Sequence, residues 1–178
     1  QSRSSAASDV YKRQYANIPS KVRLIKLKIS EDNWKTCVKN NPIFAIDLVV
    51  FNSKKGILTG KRINEPAKNK YFVPGGRVYK NELRKDAFER ISTSELGTLL
   101  KFKDSKLIGI FEHIYYNSKW LNESFGTHYI VEARYIIVDS KFEETMNLNN
   151  QHSDYKWFEF YSKESNLHNY CKPYIDLS

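Results

Sequence analysis

"YFVPGGRVYKNELRKDAFERISTSELG", residues 71–97, is the stretch from which the rest of the chain is read. An extended start leads through Pro74 to Gly75-Gly76. A charged, helix-patterned run follows and closes at Gly97. The pattern predicts a helix over 83–95 with Gly97 as its closing glycine. At about 100° per residue, Leu83, Ala87 and Ile91 make an apolar stripe with Phe88 beside it. Glu82, Asp86 and Glu89 fall on the opposite side. Glu95 lies four residues after Ile91 and continues the buried stripe, where an apolar residue is expected. A carboxylate in that place needs a cation or several hydrogen bonds, unless the helix end frays. The paired glycines let the backbone come close to a ligand.

Outward from this stretch the chain alternates between strands and helices. "LKISEDNWKTCVKNNP" reads as a short helix, with Ser30 as N-cap, acids in the first turn and Asn-Asn-Pro as the stop. "IFAIDLVVF" (43–51) is an apolar run expected to be a central strand, and "ILTGKR" a second strand after the turn "NSKKG". "INEPAKNK" is a loop. "LIGIFEHIYYN" and "THYIVEARYIIV" are long β-segments flanking a polar loop, residues 117–126, expected to shape ligand selectivity. "DSKFEETMNLNNQHS" reads as loop, "DYKWFEF" as a last strand and "SKESNLHNYCKPY" as a last helix. This order predicts an α/β fold, a mixed central β-sheet with helices on both faces.

Composition narrows the class. The chain has 178 residues and a formal charge of +9. Residues 1–14, which include "SSAASDVYKRQ", read as a non-native, adapter-like leader. Setting them aside removes Arg3, Lys12, Arg13 and Asp9 and leaves +7. A basic domain suits an anionic ligand such as a nucleotide. Aromatic and lysine residues are not interleaved on an evident face, which argues against a nucleic-acid partner. No apolar run reaches membrane-spanning length, and no secretory pattern opens the chain. Cys37 and Cys171 have no metal-ligand spacing and read as reduced thiols of a cytoplasmic protein.

Counting from Gly76, Glu82 follows after five residues and Arg90 after seven more; Glu95 and Gly97 complete the set. This resembles the Nudix box, with which the Nudix hydrolases hold divalent metal on a diphosphate. Ile91 and Ser94 stand where that pattern has glutamates, so one of the usual metal-binding acids is missing. The GDP-mannose mannosyl hydrolase subfamily has the same departures. The resemblance to it spans about residues 27–162, from "SEDNWKTCVKNNPIFAIDLVVF" through "THYIVEARY" to "NNQHSDYKWF". It implies a Nudix α/β/α sandwich over 28–178, after an N-terminal extension at 15–27.

The resemblance also implies a chemistry. Such enzymes break the bond at C1 of the sugar and release GDP, a good leaving group once its charge is neutralised. Carried over by position, Glu95, the carbonyl of Gly75 and Gln151 are metal ligands for Mg²⁺ or Mn²⁺. His152 is the general base for the attacking water, which inverts the anomeric centre. Arg62 binds the diphosphate and stabilises developing charge, with Arg77 as a second candidate. Tyr129 donates to the leaving group or packs in the core. Asp47, inside an apolar strand, contacts the sugar or a partner such as Arg77, or makes an internal salt bridge. Trp34 faces the base or packs its helix, and Lys28 and Ile29 line the same pocket. Asp154 orients the imidazole or is a solvated acid; Arg90 holds Glu82 or Asp86. His113 could touch the sugar, but it, His128 and His168 are taken as structural; Glu143 and Glu144 are candidates for an alternative base or, by preference, a solvated acidic turn. The partners expected are a small nucleotide sugar and a second copy in a homodimer, with no membrane. Two other readings stay open: a pyrophosphohydrolase attacking phosphorus, and a non-catalytic nucleotide or RNA binder.

Overall fold

The computed structural model describes residues 29–146, 152–159 and 166–175, with side chains in the second range from Asp154 onward. Its elements run α1 (Glu31–Asn40), β1 (Ile43–Asn52), β2 (Gly56–Arg62), β3 (Tyr71–Phe72), β4 (Gly75–Arg77) and α2 (Arg84–Leu96). After these come β5 (Lys106–Tyr115), β6 (Thr127–Ile137), α3 (Phe142–Thr145), β7 (His152–Phe158) and α4 (Lys172–Ile175).

One mixed sheet organises the chain. Its main path is β3-β2-β1-β6-β5, with β4 added to β1 and β7 to β2. β1 and β6 are parallel, and the other pairs are antiparallel. β1 is central, as its apolar run predicts. It is buried on both faces, and its side chains alternate between two cores. Ile46, Leu48 and Val50 face a cluster with Ala87, Phe88, Ile91 and Leu96 of α2. Val49 faces a second cluster with Phe158, Leu167, Cys171, Tyr174 and Ile175. Helical residues thus cover both faces, in line with the expected sandwich.

Local chemistry fixes the helix ends. The Ser30 hydroxyl accepts from the Asn33 N–H at 3.3 Å, and Glu31 and Asp32 fill the first turn of α1. α2 begins one residue later than expected, with Leu83 as its N-cap, and stops at Gly97. Gly97 takes φ 68°, a left-handed conformation in which its N–H bonds Thr93 O at 3.0 Å.

Three expectations need correction. Glu82 is not on a solvated helix face. It precedes α2 and its side chain is covered, where Arg90 and the Tyr79 N–H both bind its carboxylate. The supposed loop at 139–153 contains the one-turn α3, seated by the buried Phe142, and the start of β7. The expected last helix is, over its described residues, a bridge from Leu167 to Tyr71, a 3-10 turn at Asn169–Cys171 and the short α4. Packing of Leu167, Cys171, Tyr174 and Ile175 against the sheet overrides helical propensity there.

Candidate active site

The ends of β1, β2, β4 and α2 converge on a cleft of about 220 Å³. Asp47, Arg62, Gly75, Arg77, Glu95, Tyr129 and Trp34, all singled out from the sequence, line it. Ile29 is described but is not among the lining residues. Lys28, Gln151 and the side chain of His152 lie outside what is described. The His152 backbone starts β7 and stands in register with Arg62.

β1 carries Asp47 directly opposite Gly75 of β4. A Cβ at residue 75 would stand 2.6 Å from Asp47 Oδ1 and 2.9 Å from Ile46 O, so only glycine leaves room for the carboxylate. Tyr174 donates to Asp47 Oδ2 at 2.9 Å. Burial raises the Asp47 carboxyl to about 7, against the lowering effects of the Tyr174 bond and the Arg62 charge. Glu95 is 4% exposed, on the α2 stripe where the wheel put it. Burial raises its carboxyl to about 7 as well, with Arg62 and then Arg90 pulling it down.

Arg62 is anchored at the end of β2. Its Nε donates to Pro66 O at 2.8 Å, and its main chain bonds Lys70 and Asn69. Arg77 lies between two rings, its guanidinium carbon 4.0 Å from the centre of Trp34 and 4.9 Å from that of Tyr79. Arg90 covers Tyr79 at 4.0 Å and grips Glu82 with two bonds of 2.6 and 2.8 Å. It also donates to Arg77 O at 2.8 Å. Arg90 therefore builds the site without opening onto the cleft, as expected. Among the described residues, neither Arg62 nor Arg77 forms an ion pair.

Loop 117–126 is tied to α1, the helix that carries Trp34, by the Lys119–Glu31 pair at 2.6 Å and by Lys35–Glu123. The floor of the cleft is aromatic. Burial raises the Tyr115 and Tyr129 phenols, and their rings meet edge to face at 6.2 Å. His113, taken as structural with contact to the sugar as the other reading, lines the cleft. Burial, with a contribution from His168, lowers its imidazole to about 4 and keeps it neutral. Strand alternation puts Phe111, His113 and Tyr115 on one face of β5. His168 instead caps the 3-10 turn, accepting from the Tyr170 N–H at 3.2 Å. Asp154 accepts from the Tyr71 hydroxyl at 2.6 Å. Glu143 binds Lys55 and Trp157 and is not among the cleft-lining residues.

The chemistry of this set is that of an anion site with a cation seat. Two guanidinium groups without carboxylate partners suit a diphosphate. Beside them Glu95 brings a desolvated carboxylate to the same cleft as the strand backbone of Gly75. Oxygen donors of this kind fit a hard divalent cation that keeps water and phosphate oxygens in its shell. No cluster of three or more His, Cys, Asp or Glu occurs among the described residues, and the expected ligand set includes only one of those residue types, Glu95.

Comparison with known proteins accords with this geometry. The family model for the NUDIX domain matches residues 42–166. The low-salt glycan biosynthesis protein Agl8 of Haloferax volcanii is 35% identical over 149 residues, 84% of this chain and 90% of that protein. Among solved structures, a MutT NUDIX hydrolase from Burkholderia pseudomallei superposes with a TM-score of 0.60 at 19% identity, over 76% of this chain and 97% of that one. A MutT protein from Methanosarcina mazei Go1 gives 0.55 at 19% identity, over 76% and 92%. These structures share the fold alone. The chain belongs to the Nudix family and has its hydrolase fold.

Proposed function

We propose that this protein hydrolyses a nucleotide sugar, GDP-α-D-mannose, to GDP and mannose by attack of water at sugar C1 with inversion. One observation carries the reading: Arg62 and Arg77, neither ion-paired among the described residues, meet Asp47 and Glu95 at a single cleft. A glycan biosynthesis relative at 35% identity supports a sugar-bearing substrate.

Arg62 and Arg77 hold the diphosphate. Arg77 is stacked on Trp34, so a base would meet the opposite face of that indole. Lys28 and Ile29 flank the base. Asp47 receives hydroxyls of the sugar. His152, whose backbone faces Arg62 across the β2–β7 pair, takes the proton of the attacking water. Tyr129 donates its hydroxyl towards the departing oxygen. Glu95, the Gly75 carbonyl and Gln151 would hold Mg²⁺, or Mn²⁺ in its place; when bound, it neutralises charge on the leaving diphosphate. The working form in this reading is a cytoplasmic homodimer.

Hydrolysis of GDP-mannose in ¹⁸O-labelled water with Mg²⁺ tests the reaction. Label in the mannose and an inverted anomer by NMR are expected. Label in a phosphate makes the enzyme a pyrophosphohydrolase and overturns the proposal. No turnover of any GDP-, ADP-, UDP- or dTDP-sugar makes it a binding protein.

A further inference from the structure

The family match ends at residue 166, yet the segment beyond it touches two residues that line the cleft. Tyr174 is fully buried in α4, and its ring stands edge to face on Phe111 at 5.2 Å. Its hydroxyl lies 2.9 Å from Asp47 Oδ2 and 3.4 Å from His113 Nε2. Those two cleft residues sit on β1 and β5, which β6 separates. Ala133 of β6, opposite Asp47 in the register, is small. The phenol thus bridges two strands that share no backbone bonds. Tyr170, from the same segment, stacks flat on the His113 ring, with centroids 4.3 Å apart and planes 5° from parallel. The Tyr170 hydroxyl is itself fixed, donating to Ile114 O at 2.6 Å and accepting from Ile114 N–H at 3.0 Å.

We propose that Tyr174 is a positioning residue: it fixes the Asp47 carboxylate and selects the His113 tautomer, giving the cleft a set hydrogen-bonding pattern for substrate hydroxyls. Above pH 7 Asp47 is ionised and only accepts, so the Tyr174 proton goes to it. The phenol oxygen can then only accept from the imidazole. His113 must carry its proton on Nε2, and its Nδ1 is left as an acceptor. Asp47 and His113 then both act as acceptors, a pattern complementary to hydroxyl donors of a polyol. The low imidazole value of about 4 keeps His113 neutral and able to play this part. That these hydroxyls belong to a sugar rests on the function proposed above; the tautomer does not.

Nitrogen-15 NMR of the full chain at pH 8.5, with the His113 signals assigned by His113→Gln, reads the ring protons directly. A proton on Nε2 alone is expected, and a bare Nε2 in the unsubstituted protein overturns the proposal. That measurement decides the matter even where Tyr174→Phe fails to fold. Tyr174→Phe keeps the ring and removes only the hydroxyl. In the folded variant a mixture of His113 tautomers is expected. KM for GDP-mannose should rise about tenfold while kcat stays within about twofold. An unchanged tautomer, an unchanged KM, or a loss confined to kcat overturns the assignment. Absence of all nucleotide-sugar turnover sinks the proposed function instead, and the NMR result still stands or falls by itself.

Discussion

Two groups of buried charge stand on the same sheet and are treated in opposite ways. On β6, Glu132 is 1% exposed and fully neutralised. Arg134 reaches it at 2.7 Å, and Arg84 at 2.6 and 3.0 Å. Arg134 in turn donates to Ser105 and lies 3.9 Å from the Phe102 ring centre. In the cleft, Asp47 is met by a phenol, and the charges of Arg62 and Arg90 pull down the Glu95 carboxyl that burial raises. Arg62 and Arg77 have no carboxylate partner among the described residues. Where opposite charges meet inside the chain, they are architecture. Where they are kept apart at a cavity, the fold bears a desolvation cost that a ligand can relieve.

Substitutions can break this contrast from either side. The largest effect is expected from Glu132→Ala, which strands Arg134 and half-buried Arg84. Loss of one partner of a buried pair costs about 3–5 kcal/mol. Urea unfolding should show the midpoint falling with the slope unchanged; an unchanged midpoint would erase the distinction. Glu95→Gln should do the reverse. Stability should hold or rise, because a desolvated carboxyl is replaced by a neutral amide. Turnover of the nucleotide sugar should drop by about 10²–10³-fold. A variant that loses stability and keeps its rate would move Glu95 to the architectural group.

The smallest effect is a slope with pH. Asp47 and Glu95 have folded values of about 7, raised from 3.8 and 4.5. The folded form therefore binds more protons than the unfolded one across that window, and stability declines as pH rises through 7. His113 and His168, both lowered to about 4 from 6.5, act oppositely, gaining stability from about pH 4 up to 6.5. Between pH 6.5 and 8 the two histidines still return about half of what the two carboxyls lose. Without added cation, stability should fall by about 1 kcal/mol over that range. Adding Mg²⁺ at pH 8 should restore it, if Glu95 holds the ion. Equal melting temperatures at the two pH values would mean that the two carboxyls titrate at ordinary values in the folded chain.

Much of this contrast was legible in the residues. Helical periodicity alone buried Glu95, and the apolar run around Asp47 marked it as misplaced. The glycine pair was read for close approach to a ligand, whereas the contact seen at residue 75 is with the Asp47 carboxylate. What escaped was long-range. Tyr174 and Asp47 are 127 residues apart, and nothing local to "KPYI" points at a β1 carboxylate. The Glu132–Arg134 pair occupies alternate positions of one strand. Its burial depends on Arg84 and Ser105 arriving from elsewhere. Glu82 was misread because a wheel assumes the helix has already begun, whereas the chain there is still turning.

The layering of Trp34 on Arg77 gives the cleft an optical gauge. Indole emission responds to a cation held 4.0 Å above the ring. Anything that draws the guanidinium away, or slides onto the other side of the ring, alters that glow. Nucleotide titrations can therefore be followed by fluorescence without a label. Trp34→Phe isolates the signal from Trp120 and Trp157.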